Sequence, residues 1–218
     1  MLDSLAGGLA WYLETRNWAF EKLVNCPCGT PTQDIKMYNY LYFSNLFGAV
    51  DLVHDHLRSR GDKGFRERFA ASFPIPADAK FARELRNAII HRGLDPATAG
   101  HATDTNLYTL CPTGLRDQND RPVADCSFRY TVQLAAACNE RSNAAIRDAI
   151  QPLGLLAPSA HRITQDEVLE EMHASDAMPD WAKAAGEQAF ANLNFDAVAN
   201  GIAQERAARL RTLLGADS

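Results

Sequence analysis

The stretch Asp78-Ala79-Lys80-Phe81-Ala82-Arg83-Glu84-Leu85-Arg86-Asn87-Ala88-Ile89-Ile90-His91-Arg92-Gly93 reads as one amphipathic helix, and that reading decides the fold class. Phe81, Leu85, Ala88 and Ile89 fall on a single helical stripe. Asp78 follows the breaker Pro74-Ile75-Pro76 and is the expected N-cap, while Gly93 stands where a helix ends just past His91. A helix that hides one stripe needs partners, and the flanking sequence supplies them as more helices.

Upstream, Leu9, Leu13, Phe20 and Leu23 predict a helix over residues 5–23, ended by Cys26-Pro27-Cys28-Gly29-Thr30-Pro31. Residues 33–60 form the longest and most apolar helix, with Leu46, Val50, Val53 and Leu57 in one stripe. Tyr38, Tyr40, Tyr42, Phe43 and Phe47 spread aromatic surface around much of its circumference, which predicts a partner beyond its own core, a second copy of the chain. Phe65, Phe69 and Phe73 recur every four residues and predict a short third helix with a buried aromatic edge.

Downstream the pattern changes. Residues 106–111 and 123–130 read as two strands joined by a turn-rich 112–122 segment, a small hairpin near 106–128. Helix resumes over 131–150, with Leu134, Ala137, Cys138, Ala145 and Ile146 on its inner side. Beyond Pro152, residues 157–161 are linker-like, Thr164 to Glu167 forms a capping box, and Asp180 and Asp196 are expected to cap two further helices. Ile202, Leu210, Leu213 and Leu214 make the last of these apolar. The expectation is a mainly α bundle over 1–151 with a small β-hairpin insertion. A helical extension over 152–218, too small and alanine-rich for its own core, would pack on the bundle or on a dimer mate.

At 218 residues and 46% hydrophobic, the chain can bury a full core without staples. Its net charge of -5 argues against a broad nucleic-acid surface, because affinity for phosphate backbones comes largely from Lys and Arg. Between Arg58 and Arg92, however, nine Lys and Arg residues face only Asp62, Glu67, Asp78 and Glu84, a local excess suited to a polyanion or to an ordinary mixed-charge surface. The opening residues lack the positive start of a signal peptide, and no apolar run is long enough to span a bilayer, so no membrane association and a cytoplasmic location are expected.

Five cysteines, an odd number, read as free thiols. Cys26-Pro27-Cys28 resembles one knuckle of a zinc site that Cys111 and Cys126 would complete. Its one-residue gap is instead that of a helix-ending turn with buried thiols, so no metal is expected. Phosphate loops, nucleophile elbows and zinc-protease helices are absent from the sequence, and no cofactor is expected. His161 and His173 stand alone and read as surface residues.

The chemistry-bearing residues are Arg86, Asn87 and His91. Arginine is a permanent cation and histidine exchanges protons near neutral pH, so the two together can act on a phosphate without a metal. In the last turn the carbonyl end of the helix favours an imidazolium. Asn87 and His91 share a face, whereas Arg86 and His91 are rotated by about 140° on an ideal helix, a gap that a second chain across a two-fold axis can close. Asp51, His54 and Asp55 on the long helix, with Arg83 and Arg92, are candidate supporting residues. The plainer reading of the same residues is a solvated face with a histidine at the helix end.

An arginine followed by a polar residue and then a histidine, near the end of a helix in an all-helical chain, resembles the HEPN superfamily. The resemblance rests on Arg86, Asn87 and His91 as residues and on roughly the first two-thirds of the chain as architecture. It implies a helical bundle that dimerises with both motifs in one cleft, and metal-independent endoribonuclease activity of a toxin, defence or RNA-processing system, with RNA as substrate. Other members have lost catalysis and bind RNA, a nucleotide or a partner protein. One toxin branch carries a tyrosine two residues after the histidine; Gly93 stands there in this chain, so regulation through that tyrosine is not implied.

Overall fold

A computed structural model describes residues 2–157, 164–191 and 194–216. Helices α1 (Leu2–Val24), α2 (Thr32–Ser59), α3 (Phe65–Ala71) and α4 (Pro76–His91) precede strands β1 (Gly100–Ala102) and β2 (Leu107–Thr109). Helix α5 (Thr131–Ile150) runs into a short 3-10 turn, and α6 (Gln165–Ala174), α7 (Asp180–Ala191) and α8 (Phe195–Leu214) complete the chain. The fold is mainly α with a small antiparallel hairpin, as the periodicities predict.

The long helices α1 and α2 form an antiparallel pair. Their register shows in the crossings of Gly8 with Leu52, Tyr12 with Gly48 and Trp18 with Tyr38. Glycine at position 48 is required by the close approach, since a Cβ there would lie 2.6 Å from the Tyr12 ring. Helices α3, α4 and α5 pack over the other side of α2 and bury Tyr42, Phe43, Leu46, Phe47 and Val50. The aromatic circumference of α2 is thus largely consumed within one chain. Tyr40 alone among its five aromatics is exposed, so the inference of a second copy from this helix loses most of its basis.

Buried among the helices is an unusual cation. Arg16 of α1 is fully enclosed, and its guanidinium donates to Asn17 Oδ1 at 2.7 and 3.0 Å, Ser142 Oγ at 3.0 Å and Asn143 Oδ1 at 2.8 Å. Burial lowers its pKa to about 10, partly opposed by Tyr42 and Cys138. Neutral acceptors on α1 and α5 hold it, and Asn17 in turn donates to the Leu213 carbonyl of α8 at 3.4 Å. Leu210 and Leu214 are buried, Arg209 pairs with Glu14 of α1 at 2.5 Å, and Arg211 donates to the Leu156 carbonyl at 2.8 Å. The second half of α8 is therefore integral to the bundle.

Three local expectations are corrected. The hairpin lies earlier than 106–128: β2 pairs with β1 in the register Gly100↔Thr109, and the segment 123–130 forms no strand, its one isolated bridge being Leu110↔Tyr130. Strand pairing is non-local, and a short exposed Gly100-His101-Ala102 carries no alternation to announce it. Asp78 is not the N-cap of α4; Ile75 holds that place, and the buried Asp78 carboxylate accepts from Ser127 N at 2.9 Å and Ser127 Oγ at 2.5 Å. Asn194, not Asp196, caps α8 by accepting from Ala197 N at 3.2 Å. Thr164 and Glu167 do form the predicted capping box, His173 is exposed and pairs with Glu187 at 2.8 Å, and His161 lies outside the described residues.

Candidate functional site

Helix α4 exists because Phe81, Ala82, Leu85 and Ala88 are buried on one side, Pro76 is suited to its first turn, and Gly93 at φ 66° ends it. The opposite side is polar. Lys80, Arg83, Asn87 and His91 share one stripe at three- and four-residue spacing and carry it to the last turn.

Arg86 emerges to one side of that stripe, and Asn87 lies between it and His91 around the helix. Arg86 Nη1 donates to Asn87 Oδ1 at 3.0 Å, and Asn87 Nδ2 donates to Glu84 Oε1 at 3.4 Å. Arg86 Nε is enclosed without a hydrogen-bond partner, while the His91 ring is exposed at the helix end. Arg92 Nη2 donates to the Glu84 carbonyl at 3.2 Å and stands 3.7 Å from its carboxylate, and Nη1 donates to the Arg116 carbonyl. Arg86, Asn87, Glu84 and Arg92 thus form one chain of polar contacts. Glu84 is not among the sequence candidates, although its three-residue spacing from Asn87 is that of neighbours on a helix face.

The supporting candidates on α2 divide. Asp51 accepts from Arg66 Nε at 2.9 Å and Arg83 Nη2 at 3.4 Å, joining α2, α3 and α4. Burial lowers the Arg83 pKa, Asp51 opposes that, and the nearby charges of Arg66 and Arg86 add to the lowering; the guanidinium groups that Asp51 holds are those of Arg66 and Arg83. Asp55 is exposed and stands 3.6 Å from Arg58, and His54 is buried with Nδ1 unpartnered. None of the three hydrogen-bonds Arg86 or His91 among the described residues. The α4 guanidinium that Asp51 orients is Arg83.

Two grooves flank the polar stripe. One, of about 340 Å³, has Phe47, Phe69 and Ala79 along its lining and Arg66, Lys80 and Arg83 as its cations. The Arg83 guanidinium lies 5.0 Å over the Phe47 ring. The other, of about 470 Å³, lies between Ala88 and Arg92 of α4 and the loop Pro112–Asp120. Arg66 belongs to a different helix, so its convergence with Lys80 and Arg83 is not visible in any single periodicity.

The thiols are free. Cys26 is buried as expected, but Cys28 is exposed and donates to the Thr103 carbonyl at 3.1 Å. Among the described residues no three His, Cys, Asp or Glu side chains converge as metal ligands, and no helix is long and apolar enough to cross a membrane.

The fold and site define a mainly helical bundle that presents a basic, histidine-tipped helix face. Compared with known proteins, the chain matches no family model, no curated protein and no solved structure.

Proposed function

We propose that the protein is a metal-independent endoribonuclease of the HEPN type, acting as a homodimer whose two α4 ends share one cleft. The observation that carries the reading is the Arg86–Asn87 contact one turn before an exposed His91, on the stripe that continues into the groove of Arg66, Lys80 and Arg83. His91 exchanges protons with the attacking 2'-hydroxyl and the leaving 5'-oxygen, and Arg86 stabilises charge growing on the phosphorane. Asn87 positions the guanidinium, and the cations of the groove hold flanking phosphates. Because Arg86 and His91 diverge on one helix, the partner's motif completes the constellation.

The test is incubation of purified protein with mixed RNA in chelator, comparing wild type with His91→Ala. Expected are fragments ending in a 2',3'-cyclic phosphate and a 5'-hydroxyl from wild type, and none from the variant, which keeps its fold and oligomeric state. Cleavage that survives the substitution, or that EDTA abolishes, overturns the mechanism. One observation favours a second reading, a non-catalytic RNA-binding module: Arg86 is engaged with Asn87, and His91 stands exposed on another side of the helix. In that case wild type binds RNA without cutting it, and His91→Ala leaves the affinity unchanged.

A further inference from the structure

The groove between α3 and α4, about 340 Å³, falls within the size of small-molecule sites, about 300–1,000 Å³, and its back is apolar. Phe47 and Phe69 meet edge to face there, with 6.4 Å between ring centres, and both are buried, so neither ring offers a face to an incoming group. What Phe47 supports instead is a guanidinium. Arg83 lies 5.0 Å over that ring, its Nη2 donates to Asp51 at 3.4 Å, and its side chain is 34% exposed. A planar cation is thus held from behind and lines the groove beside Ala70 and Pro76.

Charge narrows the occupant. Arg66, Lys80 and Arg83 bring three positive charges, while Glu67 on the lining and Asp51, which pairs with Arg66 and Arg83, bring two negative ones, leaving one positive charge. An internal phosphodiester carries one negative charge, whereas a terminal phosphate carries nearly two. Lys80 is exposed one turn before Arg83 on the same stripe, where it can meet that charge.

We propose that this groove holds one internal nucleotide of a single-stranded RNA, its base stacked on the Arg83 guanidinium and its phosphodiester on Lys80. The proposal rests on the RNA reading of α4 and adds to it a base contact remote from the motif. Guanidinium planes are a stacking surface for unpaired bases, and the contact tolerates every base because each has a π-face. Duplex bases are closed to it, since they already stack on their neighbours. A peptide carboxylate binds a guanidinium at its edge, and Asp51 already occupies the Nη2 corner. From Arg83 to His91 the helix advances about 12 Å, so the nucleotide held here flanks the cleaved bond and does not carry it.

The experiment titrates the wild-type chain, in chelator, with a short fluorescent 2'-O-methyl oligoadenylate, whose capped hydroxyl cannot act as nucleophile. The same phosphodiester chain without bases, a duplex of equal length and a polyglutamate peptide are titrated alongside, each read by anisotropy. The oligoadenylate should bind about tenfold more tightly than the other three. Arg83→Lys keeps the charge and loses the plane, so it should weaken the oligoadenylate about tenfold and leave the base-free chain unchanged. Lys80→Ala, at an exposed helix position, should weaken both strands alike and lower the salt slope by about 0.7. Equal weakening of both strands by Arg83→Lys, duplex or polyglutamate binding as tight as the single strand, or no binding at all overturns the proposal. If Arg83→Lys lowers the Tm, photocrosslinking of a 4-thiouridine strand to the wild type decides: attachment within residues 66–83 supports the groove, and attachment elsewhere overturns it. None of these readouts involves cleavage, so they fail or succeed separately from the nuclease reading.

Discussion

Asp78→Ala tests how the motif helix is anchored. The carboxylate is 3% exposed and accepts from Ser127 N at 2.9 Å and Ser127 Oγ at 2.5 Å, tying the first turn of α4 to the segment that enters α5. Hydrogen bonds to a charged group contribute about 1.5–3 kcal/mol each. Ser127 is exposed, so water recovers part of what its two donors lose. Removing a negative charge from the first helical turn adds about 0.3–1 kcal/mol. The net loss is about 2–4 kcal/mol, which for a chain of this size lowers Tm by about 5–15 °C. Calorimetry at neutral pH measures it, alongside Ser127→Ala and the double variant. Ser127→Ala keeps the backbone bond and costs about 1 kcal/mol. Both bonds end on one carboxylate, so the double variant should unfold within about 0.5 kcal/mol of Asp78→Ala alone. A Tm shift for Asp78→Ala below about 2 °C, or full additivity of the two single losses, refutes the anchoring role.

Two further outcomes follow from burial. Leu210→Ala should cost about 2–4 kcal/mol in urea unfolding, because its side chain is fully enclosed in the second half of α8, whereas Ile202→Ala, half-exposed on the same helix, should change stability by less than about 0.5 kcal/mol; equal effects would mean that α8 is not docked as described. His56 has its pKa lowered, first by burial and then by nearby Arg60, and its Nε2 is enclosed without a partner. A depressed histidine pKa means that the unfolded chain binds the proton first, so stability is lost as pH falls from about 6.5 through the folded value. His56→Gln should flatten the stability–pH curve in that window, and an unchanged slope would show that another group is responsible.

The helices are legible in the sequence because each is written in a local repeat. Expected and observed bounds agree at 131–150 and differ by a few residues at 5–23 and 33–60, since period and breaker residues act within one or two turns. The capping box at Thr164 is equally local. The hairpin is not, because β1 has three exposed residues and depends for its existence on a partner seven residues on. Asp78 shows the same limit: its position after a breaker suggests a cap, but a serine 49 residues away claims the carboxylate.

Arg86, Asn87 and His91 are nameable from the sequence, as is the angle that separates the arginine from the histidine, because both follow from helical pitch. Only the tertiary structure decided which guanidinium groups Asp51 serves, those of Arg66 and Arg83 on two other helices. It also decided that α2 spends most of its aromatic surface inside one chain. Each of those outcomes joins residues from separate elements, and the packing that brings separate elements together has no period along the chain.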